Sequence, residues 1–333
     1  MATIHDVAAS AGVSATTVSR YLNHRLDLPA PTVARIESAI AELDYRPNLL
    51  AKRLSTGRSE AVSLVTPEID NPFFASLAAA VEDEAQRYGY AVFLSSTRGD
   101  VERELASLRR LADRHVDGMI LTTNRPDDGT LAAAIAESAP IVLIDEGIPG
   151  AGLPGIYVEN ETGAQLATQH LIANGHTRIA MLGGPPALLS ARERRQGFMR
   201  GMAEAGLAPW PEHLRFGDYT RDFGRAATLD LIGGLQRPTA IFASSDYIAI
   251  GVYEALRDAG LSVPGDVSLV GFDDMAFAEI MAPALTTVRQ PIAEMGRLGF
   301  QTLLSLMRGE PVPSERRLPV ELIERDSVAA PRS

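Results

Sequence analysis

From Glu60 onward the chain alternates between short β-branched runs and amphipathic stretches. AVSLVT (61–66), YAVFLS (90–95), DGMILT (117–122) and PIVLID (140–145) each fit one buried parallel strand. RIAMLGG (178–184), TAIFASS (239–245) and VSLVGFD (267–273) repeat the pattern. Stretches such as FASLAAAVEDEAQRYG and ATLDLIGGLQ carry the wider spacing of helices. Strands and helices in alternation predict right-handed crossovers and parallel sheets covered on both faces. The strands are too many for one compact sheet, so two α/β lobes are expected.

The first 58 residues follow another pattern, that of an all-α head. Thr3 with Asp6 predicts a capped helix start, and Gly12 supplies the left-handed residue that ends it. Ser14 predicts the cap of a second helix over Ala15 to Leu22, closed near Asn23. A third is expected from Pro31 to Asp44, with Ile36, Ile40 and Leu43 on one face. Val7, Ala8, Ala11, Val13, Val18 and Leu22 form the expected core. Two short helices joined by a tight Gly-containing turn make a helix-turn-helix or an ordinary helical hairpin; spacing alone leaves both open.

Charge sharpens the division. The 333 residues carry a net −11, but residues 1–59 hold seven basic and five acidic side chains, so the remainder stands at −13. Only the head suits contact with phosphates. Apolar residues make up 46% and charged residues 22%, an ordinary globular composition, and there is no cysteine for disulfide or thiolate chemistry. The start MATIHDVAAS has no apolar signal core and no run is long enough to span a bilayer, so a cytoplasmic protein without membrane contact is expected.

Catalytic motifs are missing. GAGLPG (150–155) has glycine-motif spacing, but Pro154 sits inside it and a strand follows, so it predicts a loop. There is no phosphate-binding loop, no nucleophile elbow and no zinc-protease helix. His170 and His176 lack nearby thiols or a further histidine, so no metal and no cofactor are expected.

The wording TIHDVAASAGVSATTVSRYLN, with LDYRPNLLAKRL after it, closely resembles the head and hinge of the lactose/galactose repressor (LacI/GalR) family. The likeness continues in DNPFFASL, VDGMILT, NGHTRIAMLGG, GLSVPGDVSLVGFDD and PALTTVRQP, which resemble a periplasmic-binding-protein-like body. It implies a helix-turn-helix head at 1–46, a hinge helix and linker at 47–58, and an effector-binding and dimerisation body at 59–333. The N-lobe is expected at about 59–159 and 290–319 and the C-lobe at about 160–289 and 320–333, with crossings near Glu159, Arg289 and Pro319. Where relatives cap the third helix with Ser or Thr, this chain has LPAPT.

The resemblance also implies roles. Ala15, Thr16 and Arg20, on the N-terminal side of the second helix, would face base edges; Arg20 can bond guanine twice, and the two small residues suit thymine methyls. Thr3, Ser14, Thr17, Ser19 and Asn23 would touch phosphates. In the hinge, Pro47 opens a short helix through Asn48, and Leu54 matches the leucine that wedges into the minor groove. Strand ends give the effector candidates Phe73, Phe74, Asp145, Ser190, Arg192, Arg194, Tyr219, Ser245 and Asp273, with Arg194 and Asp273 the pair for vicinal hydroxyls. Asp246 is expected to cap the helix after it, and of RERR (192–195) only Arg194 is expected to turn inward. Relatives that bind lactose-type sugars carry Asn where this chain has Ser245.

The expected function is a dimeric repressor on a palindromic double-stranded DNA operator, controlled by a small sugar or derivative. A purine or nucleoside effector or corepressor, or an activator role, is the alternative. Heads on two half-sites require a homodimer, and no terminal leucine heptads suggest further assembly.

Overall fold

A computed structural model describes residues 2–22, 26–45, 57–135 and 140–332. The chain separates into two compact units, Met1–Ser59 and Glu60–Ser333.

In the first unit, α1 (Ile4–Ala11) opens with the expected capping box: the Thr3 hydroxyl accepts from the Asp6 amide, and the Asp6 carboxylate accepts from the Thr3 amide. Gly12 ends it at φ 65°. α2 (Ala15–Leu22) begins where Ser14 accepts the Thr17 amide at 3.1 Å. α3 (Ala30–Glu42) has Pro29 as its N-cap, with no side chain bonding the helix end. Val7, Ala8, Ala11, Val18, Ile36 and Ala39 form the core, and Val13, Leu22 and Ile40 pack around it. Leu43, expected on the buried face, caps α3 and is exposed, and Ala39 takes the inner position. The Tyr21 hydroxyl donates to Glu37 at 2.9 Å and ties α2 to α3.

The second unit runs β1 (Ala61–Thr66), α4 (Pro72–Arg87), β2 (Ala91–Ser96), α5 (Val101–Ala112), β3 (Gly118–Leu121), α6 (Thr130–Ile135), β4 (Ile141–Ile144) and β5 (Gly155–Val158). It continues with α7 (Asn160–Ala173), β6 (Ile179–Gly183), α8 (Leu189–Glu204), β7 (Leu214–Phe216), α9 (Arg221–Gly233), β8 (Ala240–Ala243), α10 (Asp246–Asp258) and β9 (Ser268–Asp273). α11 (Ala276–Ile280), β10 (Thr286–Arg289), α12 (Ile292–Met307), β11 (Glu315–Leu318) and β12 (Glu321–Ile323) complete it.

The strands form two six-stranded sheets, ordered β11-β5-β4-β3-β1-β2 in one lobe and β12-β10-β9-β8-β6-β7 in the other. Every neighbouring pair is parallel except β10 with β12. Each sheet has an apolar cluster on both faces, as parallel sheets require. β5 leads into α7 across Glu159, β10 into α12 across Gln290 and Pro291, and β11 into β12 across Pro319 and Val320. The chain therefore passes between the lobes three times.

One strand departs from expectation. YAVFLS was expected to be buried, yet β2 lies at a sheet edge with Phe93 52% and Leu94 42% exposed. Apolar content marks a strand, but it does not say which surface covers it. GAGLPG is a loop up to Gly155, where β5 begins, as expected. Among the described residues no helix is long and apolar enough to cross a membrane.

Candidate functional site

In the head, Thr16 and Arg20 are exposed and stand four residues apart on α2, hence on one face. Arg20 lies in the last turn of this short helix, one turn beyond Ala15 and Thr16, which corrects its expected place at the N-terminal side. Ala15 is half-buried against the head core, so little of its methyl faces outward. Ser14 and Thr17 share a hydroxyl contact of 2.8 Å at the start of α2, and Thr3 is exposed at the start of α1. Ser19 is half-buried. Asn23, Asn48 and Leu54 lie outside the described residues.

In the body, carboxyl ends of strands from both lobes converge on a narrow cleft of about 40 Å³. One wall begins at Asn71, whose side chain caps α4 by accepting from the Phe73 amide at 3.1 Å. That cap sets Phe73 and Phe74 in the first turn, edge to face at 5.2 Å, both nearly buried. β3 is followed by Thr123 and Asn124, and β4 by Asp145 and Glu146. The facing wall carries Leu188, the N-cap of α8, and Ser190 and Arg194 of that helix, with Tyr219, Ser245, Asp273 and Gln290.

Arg194 organises the floor. It is 3% exposed, and a guanidinium so deep in protein costs several kcal/mol unless it is paired and bonded. Its Nε donates to Asn160 Oδ1 at 2.8 Å and its Nη1 to the Ser244 carbonyl at 2.6 Å. Its plane lies 3.8 Å over the Phe272 ring. Asp273 faces it and accepts from Gln290 Nε2 at 2.7 Å. Burial, only partly offset by Arg194, pushes the Asp273 carboxyl up to about 6. Burial also raises Asp145, again against the pull of Arg194.

The backbone is unusual at both acids. Asp145 sits at φ 72° and Asp273 at φ 121°, in the left-handed region that favours glycine. Such strain persists where surroundings enforce it, commonly at ligand clamps. Two buried acceptors in the cleft, Asp145 Oδ1 and Gln290 Oε1, have no hydrogen-bond partner. They suit a molecule that brings hydroxyl or N–H donors.

Of the nine expected effector residues, Phe73, Phe74, Asp145, Ser190, Arg194, Tyr219, Ser245 and Asp273 line this cleft. Arg192 does not: it is exposed and bonds the Ala187 carbonyl at 2.9 Å. The reason is helical geometry, since Ser190 and Arg194 share a face and Arg192, midway between them, turns to the other. Asp246, expected to cap the helix after it, does not: Ser245 caps α10, and Asp246 is buried as its first residue. Asp246 instead accepts from the Met275 amide at 2.8 Å and the Thr287 hydroxyl at 2.6 Å.

Asn71, Thr123, Asn124, Glu146, Leu188 and Gln290 also line the cleft and were not anticipated. Glu146 follows Asp145 directly after β4, and no local signal set it apart. Among the described residues no cluster of His, Cys, Asp and Glu could hold a metal ion.

Comparison with known proteins covers both units. Residues 3–48 match the model of bacterial regulatory proteins of the lacI family, and residues 168–328 match a periplasmic binding protein-like domain. The HTH-type transcriptional repressor PurR of Aliivibrio fischeri (strain MJ11) is 33% identical, covering 98% of each chain. The ribose operon repressor of Escherichia coli (strain K12) is 35% identical, covering 98% of this chain and all of its own. Among solved structures, the lac repressor dimer bound to operator and the anti-inducer ONPF superposes with a TM-score of 0.88, at 31% identity over 99% of each chain.

Proposed function

The chain belongs to the lacI family of bacterial regulatory proteins, and on that premise we propose that it represses transcription by holding a palindromic operator as a homodimer, with a small carbohydrate or derivative in the cleft as its effector. It acts by binding and not by catalysis, in the cytoplasm where its DNA lies.

The observation that carries the effector reading is the chemistry of the cleft. Asp145 Oδ1 and Gln290 Oε1 are buried acceptors awaiting donors, Arg194 and Asp273 form a charged pair on the floor, and Phe73 and Phe74 offer flat apolar surface. Vicinal hydroxyls answer all three, because each can donate and accept while the sugar ring keeps an apolar face. Ser190, Tyr219 and Ser245 add hydroxyls around the same space. A purine base or nucleoside is the second reading, favoured by the aromatic pair. Closure of the lobes around the effector is the proposed switch.

In the head, Arg20, Thr16 and the exposed part of Ala15 would read bases, with Thr3, Ser14, Thr17, Ser19 and Asn23 at phosphates. Residues 1–46 form the reading unit, 47–58 the hinge with Asn48 and the wedge Leu54, and 59–333 the sensor. Phe93 and Leu94 on the edge strand β2, and Ile280, 82% exposed on α11, supply apolar surface for a second copy.

Selection of binding sites from random duplexes, followed by anisotropy titration with pentoses, hexoses, nucleosides and nucleobases, tests the whole reading. A twofold-symmetric consensus released by a sugar is expected. The absence of any preferred duplex, with and without these compounds, would overturn it.

A further inference from the structure

The helix α8 lacks a cap of its own. Its N-cap is Leu188, which has no side-chain oxygen to offer the free amides of the first turn. Glu146 supplies the cap from the opposite lobe: its Oε2 accepts from the Leu189 amide at 2.8 Å and its Oε1 from the Ser190 amide at 3.2 Å. The Ser190 hydroxyl also bonds Oε1 and lies 2.9 Å from the Tyr219 hydroxyl. Two amides at a helix N-terminus, two hydroxyls and an arginine one turn along form a receptor for a phosphate or carboxylate. In this chain the receptor is already filled, by a side chain that is 2% exposed.

Taking the carbohydrate reading as its basis, we propose that Glu146 sets the ligand class of the cleft: it occupies the anion-binding end of α8 and reserves the remaining space for an uncharged, hydroxyl-rich molecule, excluding phosphate esters and sugar acids.

Three independent features agree. Asp145, Glu146 and Asp273 line the cleft against the single guanidinium of Arg194, which already faces Asp273, so an added anion finds no unpaired cation there. The two acceptors without partners, Asp145 Oδ1 and Gln290 Oε1, call for donors, which every hydroxyl supplies and the terminal oxygens of a fully ionised phosphate ester do not. Burial, followed by the charges of Asp70 and Asp218, raises the carboxyl of Glu68, which bonds Asn124 of the cleft, so further acids gather beside this wall.

Calorimetry on the full chain, with inorganic phosphate as the probe, tests this whatever the effector proves to be. Wild type and Glu146→Gln, which keeps an acceptor oxygen against the amides, are expected to bind phosphate equally weakly. Glu146→Ala, which empties the receptor, is expected to gain at least about tenfold in phosphate affinity. Glu146→Ser serves the same purpose if the alanine variant does not fold. No gain in a folded variant, or an equal gain in Glu146→Gln, overturns the proposal. A second arm titrates wild type with ribose, glucose and their phosphate esters; tighter binding of an ester than of its parent sugar also overturns it. If neither the sugars nor their esters bind while Glu146→Ala takes phosphate, the carbohydrate reading fails and the exclusion by Glu146 stands.

Discussion

Arg194 and Asp273 face each other at 3.7 Å, an ion pair beyond hydrogen-bond reach, and Gln290 bonds the carboxylate oxygen nearest the guanidinium. The pair is pinned from both sides by other groups, leaving room for a ligand oxygen to bridge it. Asp273→Ala is expected to abolish the effector response while operator binding survives. It also leaves the Arg194 charge buried with less compensation, at a cost of about 3 kcal/mol in stability. Calorimetry with the effector, anisotropy on operator and a urea melt read the three effects separately.

Arg20→Ala is expected to weaken operator binding by roughly 1–3 kcal/mol and to relax preference at one base position in each half-site. Its exposure in the last turn of α2, on the face of Thr16, motivates this. Selected-site sequencing provides the measurement, and an unchanged base profile would count against the assignment.

Leu54→Ala is expected to preserve the fold and to reduce both operator bending and affinity, since an apolar wedge is what keeps one base step unstacked. The residue is assigned from sequence alone. Phased gel-shift mobility compares the bend angles directly, and identical bends would remove Leu54 from the interface.

The pH dependence of stability follows from Glu146. Burial and the neighbouring Asp145 push its carboxyl up to about 8 from an ordinary 4.5, against the pull of Arg194 and the Ser190 and Leu189 bonds. The folded state therefore binds more protons than the unfolded chain between those values. The stabilisation is full below the unfolded value and is lost as pH rises through the folded one. Asp273 acts in the same direction, whereas His176, lowered by burial, acts in the opposite one. The difference isolates the effect: wild type is expected to lose stability relative to Glu146→Gln as pH climbs from about 5 to about 8. Parallel stability curves for the two proteins would contradict it.

The sequence made the strands legible because parallel strands buried on both faces need unbroken apolar runs, and AVSLVT coincides with β1 to the residue. The capping box at Thr3 and Asp6 was readable because both partners lie within one turn. What escaped depends on partners far along the chain. Glu146 is one more surface-like acid until α8, more than forty residues later, arrives beside it. Arg192 was placed in the cleft by proximity to Ser190 and Arg194, although helical rotation sends it elsewhere. The exposed edge of β2 shows the same limit, since a run of apolar residues does not reveal whether its cover comes from its own chain.

The three passages between lobes have a consequence for biosynthesis. β11, the edge strand of the first sheet, and β12, the antiparallel edge of the second, are both supplied by residues 315–323, after every other strand described has been made. Neither half of the sensor can be completed while the ribosome is still making the middle of the chain. By contrast, the three-helix reading unit closes its own core from residues 7–39 and can fold as soon as it clears the exit tunnel. A nascent chain released early would carry a finished recognition module on a receptor still missing parts of both halves.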